Sequence, residues 1–260
     1  MNYGLYLSAS GVLTNLYRQD VFANNLANVE TAAFKPQVPS IRQRAAESIE
    51  DPASFGVSQR LLDRLGGGVL AGPDRVSFEP GALQRTGNPF DVALDDEHSF
   101  FAVRYVDPAT GDAGFRLTRD GRFSRNSDGE LVTQAGFKVL DPVGNPIVVP
   151  GGVPAHIEAT GRVVTDGGEV LGQVQVARVA DTTRLFKQGQ GLFNYKGGDP
   201  RQIVDNPVVI PGHIEGSGVD PIKTLMNVTG AGKAASANAD MIKFFDRMMD
   251  QAINTFGRVA

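Results

Sequence analysis

The chain has 260 residues, 41% of them hydrophobic and 21% charged, with a net charge of −4. Usage this ordinary excludes a wholly disordered or membrane-embedded chain. No basic block is present to track a phosphate backbone, so nucleic acid is not an expected partner. The absence of cysteine removes disulfides, thiolate catalysis and Cys-ligated metals.

Residues 1–11 lack the positive n-region and apolar run of a signal peptide. No stretch approaches the roughly 18 apolar residues of a membrane helix. From Tyr3 onward proline is missing until Pro36, and Leu5, Ala9, Val12, Leu16, Ala23 and Leu26 recur at helical spacing. This predicts an N-terminal helix. Residues 36–74 fit neither helical nor strand periodicity. Pro36, Pro39 and Pro52 and the run Gly66-Gly67-Gly68 read as an extended connector, with a short helix possible over residues 41–50.

Residues 75–211 carry turn signals at short intervals with brief apolar runs between them, at 100–106, 147–149, 163–165, 174–179 and 208–210. Turns are expected at 107–114, 143–146, 166–168 and Gly197-Gly198. Asp120-Gly121 and Asp128-Gly129 each predict a tight hairpin, with glycine supplying positive φ. The last segment opens on Asp220 as helix cap with Pro221 at the first helical position. Leu225, Val228, Gly232, Ala235, Ala239, Ile242, Phe245, Met249, Ala252 and Phe256 then repeat at helical spacing.

The fold class is therefore α+β: N- and C-terminal helices paired as a coiled-coil-like bundle around a central antiparallel all-β domain. The expected boundaries are an N-terminal helix at 1–35, the connector at 36–74, the β domain at 75–211 and the C-terminal helix at 212–260. A helix with a narrow apolar seam needs a partner, and the other terminus is the obvious one.

Three asparagines crowd the end of the first helix, in Ala23-Asn24-Asn25-Leu26-Ala27-Asn28-Val29. Their amides compete with the backbone in a helix interior and need partners when buried. They could fix register between packed helices, or simply end the helix with Asn28. This stretch, with Ser8-Ala9-Ser10-Gly11-Val12 before it and Phe34-Lys35 after it, resembles the N-terminal signature of the bacterial flagellar axial family. The segment from Gly212-His213-Ile214-Glu215 to Val219-Asp220-Pro221 is similar to the family's approach to its C-terminal helix, and Asn227 and Asn238 follow in place. A third match, Gly81-Ala82-Leu83 through Asn88-Pro89-Phe90-Asp91-Val92, with Phe100-Phe101-Ala102-Val103 and Thr118-Arg119-Asp120-Gly121-Arg122-Phe123, is similar to the central domain of rod and hook proteins. Gly230 and Gly232 depart from the family's helix, and a closer helix approach over small residues is expected there.

With a single central β domain, the chain resembles a rod subunit, of the proximal or distal type. The resemblance implies a structural subunit of the basal-body rod that self-assembles helically through its terminal helices and transmits torque from motor to hook. It implies export through the flagellar type III apparatus without cleavage, and a place in the periplasm. The implied partners are copies of itself, other rod subunits, the hook protein, the rings around the rod and the export apparatus. The assembly interface is expected at Leu5, Val12, Leu16, Asn24, Asn25, Leu26, Asn28 and Phe34, and at Leu225, Val228, Ala235, Asn238, Ile242, Phe245, Met249 and Phe256.

No enzyme pattern competes with this reading. His98, His156 and His213 stand far apart in sequence, Ser217 lacks the glycine frame of a nucleophile turn because Glu215 holds its first position, and Asp91, Asp95, Asp96 and Glu97 lack the spacing and glycine of a calcium loop. All read as turn residues, as does the stretch 126–130. No catalytic residue, metal, cofactor or small-molecule substrate is expected. The alternative from another class is a secreted β-rich binding module, for example for glycan, with helical arms that oligomerise it. Aromatic content of 8% without tryptophan argues against sugar platforms.

Overall fold

A computed structural model of the chain describes residues 3–45, 66–106, 111, 113–196 and 202–256. The turns expected at 107–110 and 197–198, residues 46–50 of the possible short helix, and the Phe256 side chain lie outside them. The chain divides into two compact units. One holds Met1–Ala27, Gln37–Arg75 and Asp220–Ala260, and the other holds Asn28–Pro36 and Val76–Val219. The described part of the expected connector from Gln37 onward thus belongs with the helices, while residues 28–36 and 212–219 belong with the strands.

In the helical unit, α1 (Tyr3–Ala27) and α2 (Pro221–Gln251) pack along each other. They run antiparallel: Gly4 lies against the Phe245 ring, Gly11 against the Asn238 amide and Gly232 near Gln19. As the sequence predicts, Pro221 starts α2, and the Asp220 carboxylate accepts the Lys223 backbone N–H at 3.0 Å. After α2 the chain continues as one π-helical turn, Ala252–Phe256. Residues Ile41–Gln43 form a strand paired with Val69–Ala71 rather than a helix. The ribbon is tied to α1 where the Thr14 hydroxyl donates to the Val69 carbonyl at 3.4 Å.

The β unit is built on a six-stranded antiparallel sheet in the order Leu185–Gly189, Leu192–Tyr195, Ala113–Thr118, Ser99–Val106, Val176–Arg178, Gln202–Ile203. Its central strand explains an apolar run that does not alternate. Phe100 enters one core with Phe78, Leu117 and Phe193, while Phe101 enters another with Phe123, Leu131 and Val163. Both faces are covered, so successive side chains are both buried. Phe78, Phe100 and Phe193 meet edge to face with centroids 5.2–6.0 Å apart.

A three-stranded sheet of Ala155–Ile157, Arg162–Thr165 and Val170–Gln173 adds a second layer. The Asp128-Gly129 hairpin forms, joining Phe123–Arg125 to Leu131–Thr133 with Gly129 at φ 82°. Asp120-Gly121 does not make a hairpin, because Ala113–Thr118 and Phe123–Arg125 belong to different sheets. Glycine is needed there for close approach instead: a Cβ at Gly121 would collide with the Val92 carbonyl oxygen. The run 208–210 contributes only Ile210 to a short strand, Ile210–Pro211, and Val208 is left 80% exposed.

Candidate assembly surface and buried charge cluster

The buried face of α1 consists of Ser8, Gly11, Thr14, Val21 and Asn25. That line falls mostly one residue back from the apolar line read in the sequence. Small residues win the inner position because they let two helices approach closely, and the matching face of α2 is likewise small, with Thr224, Ala231 and Ala235 buried. The close approach is at Gly4 and Gly11 of α1, not at the glycines of α2. Among the described residues a Cβ on Gly230 would meet nothing within 4 Å, and one on Gly232 would make only ordinary contact with Gln19.

Leu5, Val12 and Leu26 consequently lie half-buried beside the seam, and Leu16 is 44% exposed. On α2, Ala235 is buried, Val228, Asn238, Ile242 and Phe245 are half-buried, and Leu225 and Met249 face solvent. A second set of apolar side chains points outward: Leu13, Met226, Met241, Phe244 and Met248 are each at least 46% exposed.

The asparagines separate by role. Asn25 is buried, and its amide makes both bonds of a strand-like pair with Gln37, donating to the carbonyl at 2.7 Å and accepting the N–H at 2.9 Å. It therefore fixes where the chain turns back after α1, within its own unit. Asn24 is exposed, and Asn28 lies in the turn after the helix, where its side-chain oxygen accepts the Thr31 hydroxyl at 3.1 Å. Asn238 donates to the Ala234 carbonyl of its own helix at 2.9 Å.

In the β unit, Phe34 lies beneath the Lys187 ammonium, 3.7 Å from the ring centroid. Burial pushes that ammonium down to about 8, and among the described residues its nitrogen has no hydrogen-bond partner. Nearby in sequence is a charge cluster that spacing alone does not reveal. Lys35, Arg119 and Glu215 are each at most 2% exposed. Glu215 accepts the Lys35 Nζ at 2.5 Å and the Arg119 Nε at 2.9 Å. It also accepts the Gly81 backbone N–H at 2.9 Å. The remaining Lys35 protons go to the carbonyls of Phe78 and Glu79, and those of Arg119 to the carbonyls of Leu94, Asp96 and Ser99. Burial and the Arg119 charge lower the Lys35 pKa from its ordinary value, against the pull of Glu215. The signal available in the sequence was a cation inside each of two apolar contexts, Phe34-Lys35-Pro36 and Leu117-Thr118-Arg119.

The polar residues weighed as chemical candidates are held locally. His98 lies 3.6 Å from Glu97, His156 lies 3.5 Å from Asp166, and His213 bonds the Pro211 carbonyl at 2.9 Å. The Ser217 hydroxyl accepts the Val219 N–H at 3.3 Å. Asp91 is buried rather than solvated, accepting from the Thr86 hydroxyl and the Asn88 amide at 2.6 and 2.9 Å. Among the described residues no group of three His, Asp or Glu could hold a metal ion, and no helix is long and apolar enough to cross a membrane.

Residues 98–190, the core of the β unit, match the family model of the flagellar hook protein FlgE/F/G D1 domain. Similarity to curated proteins runs the length of the chain. Flagellar basal-body rod protein FlgF of Caulobacter vibrioides is 28% identical over 260 residues, covering 100% of both chains. Flagellar basal-body rod protein FlgG of Borreliella burgdorferi is 27% identical, covering 98% of each. Flagellar hook-basal body complex protein FlhO of Bacillus subtilis is 27% identical, covering 98% of this chain and 99% of its own. None of these relatives supports a glycan-binding module. The D1-domain match at the centre and the similarity to rod proteins from end to end support a structural subunit of the flagellar basal-body rod.

Proposed function

We propose that the chain self-assembles helically through its paired terminal helices into the rod that crosses the periplasm, and that the assembled rod passes torque from motor to hook. The observation that carries this reading is the outward apolar set on α1 and α2. Once the seam between the two helices is closed, Leu13, Leu16, Leu225, Met226, Met241, Phe244 and Met248 still face solvent. An isolated chain gains nothing from that exposure, whereas a neighbour would bury it. The inner face of α2 supports coiled-coil-like packing: Thr224, Val228, Ala231, Ala235, Asn238, Ile242 and Phe245 alternate spacings of four and three. Neighbours in this reading are further copies, other rod subunits, the hook protein and the surrounding rings. Delivery is through the flagellar export apparatus.

Two adjacent phenylalanines separate assembly from folding. Phe244 is 48% exposed, while Phe245 packs on Gly4 of its own chain. Phe244→Asp should leave the protein's level and thermal midpoint near wild type, yet leave cells without filaments. Phe245→Asp should lower the midpoint, because it places a charge against the helix seam. Filaments of normal number in the Phe244→Asp strain would overturn the assembly reading.

A further inference from the structure

The chain passes between its two units at four peptide links, 27–28, 36–37, 75–76 and 219–220. Inside the β unit, three of these four points lie within a few residues of the buried charge cluster. Lys35 is next to Pro36. Its ammonium holds the carbonyls of Phe78 and Glu79, just after Val76, and the carboxylate of Glu215, four residues before Val219. Glu215 returns the contact by accepting the Gly81 N–H, and its own carbonyl accepts the Ala33 N–H at 2.8 Å. The bonds Ser77 N–H to Pro36 and Gly218 N–H to Phe34, both 2.9 Å, complete the bundle. Arg119 anchors it to the main sheet through the Ser99 carbonyl.

We infer that Lys35, Glu215 and Arg119 are a clasp that fixes the points at which the chain leaves the β unit, and that the clasp bears the strain which torque places on those points. The second half rests on the rod reading, and the first does not. The chemistry suits the task. A carboxylate held by two cations and a backbone amide, out of water, is not screened by salt and has no competing solvent partner, so it yields less than an apolar contact to a small displacement. Removing the carboxylate would leave two buried cations facing each other. Each bond also joins segments distant in sequence, as the 180-residue separation of Lys35 and Glu215 shows.

The test is amide hydrogen exchange on the full-length protein carrying Lys35→Met, which keeps the Arg119–Glu215 pair balanced. Exchange at Ala33, Ser77, Gly81 and Gly218 should rise about 10- to 100-fold, as the loss of bonds to a charged group implies. Amides of the strands Ser99–Val106 and Ala113–Thr118 should hold their wild-type rates. No change at the four amides, or an equal rise in the central strands, would overturn the clasp. Glu215→Gln should lower the thermal midpoint further than Lys35→Met does, and adding Lys35→Met to it should raise the midpoint again by removing one stranded cation. A double variant less stable than Glu215→Gln alone would show that charge pairing is not what holds the segments. In cells, Lys35→Met should swim normally in dilute medium and slow more steeply than wild type as viscosity rises. Equal slowing would refute the strain-bearing half, whereas normal swimming by a strain lacking the protein would refute the rod reading and leave the clasp standing.

Discussion

At the scale of the residue, position decides which of several identical side chains matters. Asn24 and Asn25 are neighbours, yet only Asn25 is buried and bonded to both backbone groups of Gln37. Asn25→Ala should destabilise the helical unit by about 1–3 kcal/mol, because it leaves a buried N–H and C=O without partners. Asn24→Ala should cost less, because Asn24 is exposed. Thermal unfolding of the two variants checks the contrast, and equal losses would deny Asn25 its special place. The sequence showed that such amides need partners. It could not show that the partner here is a strand edge 12 residues on, since spacing constrains the donor and says nothing of where an extended connector returns.

The elements were legible where a local rule governs them. Both helices, the Asp220 cap, the β character of the middle and the Asp128-Gly129 hairpin follow from periodicity and turn chemistry. Two readings failed for one reason, that local rules are silent on which strand or helix comes alongside. Asp120-Gly121 has the residues of a hairpin but joins two sheets, and the apolar line of α1 was displaced by small residues once a second helix needed room. The glycines show the same division. Gly230→Ala should raise the stability of the helical unit by about 0.5–1 kcal/mol, because α2 gains helix propensity and the new methyl meets nothing. Gly121→Ala should instead lower the melting temperature of the β unit markedly, since the Val92 carbonyl occupies the space. Differential scanning calorimetry on both variants measures each sign, and a stabilising Gly121→Ala would refute the close-approach account.

For the molecule as a whole, one buried amine sets a pH dependence opposite to the usual alkaline loss. Lys187 in the folded β unit releases its proton near 8, against an ordinary value of 10.5 in the unfolded chain. Below about 8 both states hold the proton and the penalty of burying the charge is present in full. Between about 8 and 10.5 the unfolded state binds more protons, so stability rises with pH. The midpoint of the β unit should therefore climb from pH 7.5 to 9.5, and Lys187→Met should flatten the climb. An unchanged slope in that variant would assign the effect elsewhere. The rod-subunit role was readable from three motif segments, but the clasp was not, because its three charges are scattered over 180 residues and meet only in the finished fold. That separation has a consequence for how the protein is made. Lys35 and Arg119 are synthesised long before the carboxylate that reconciles them, and pairing them needs a long loop to close, which is slow. Until residue 215 emerges, the nascent β unit holds two cations it cannot bury together. The chain is thus biased against settling into its final form during synthesis, and remains pliable for as long as its last fifth is missing.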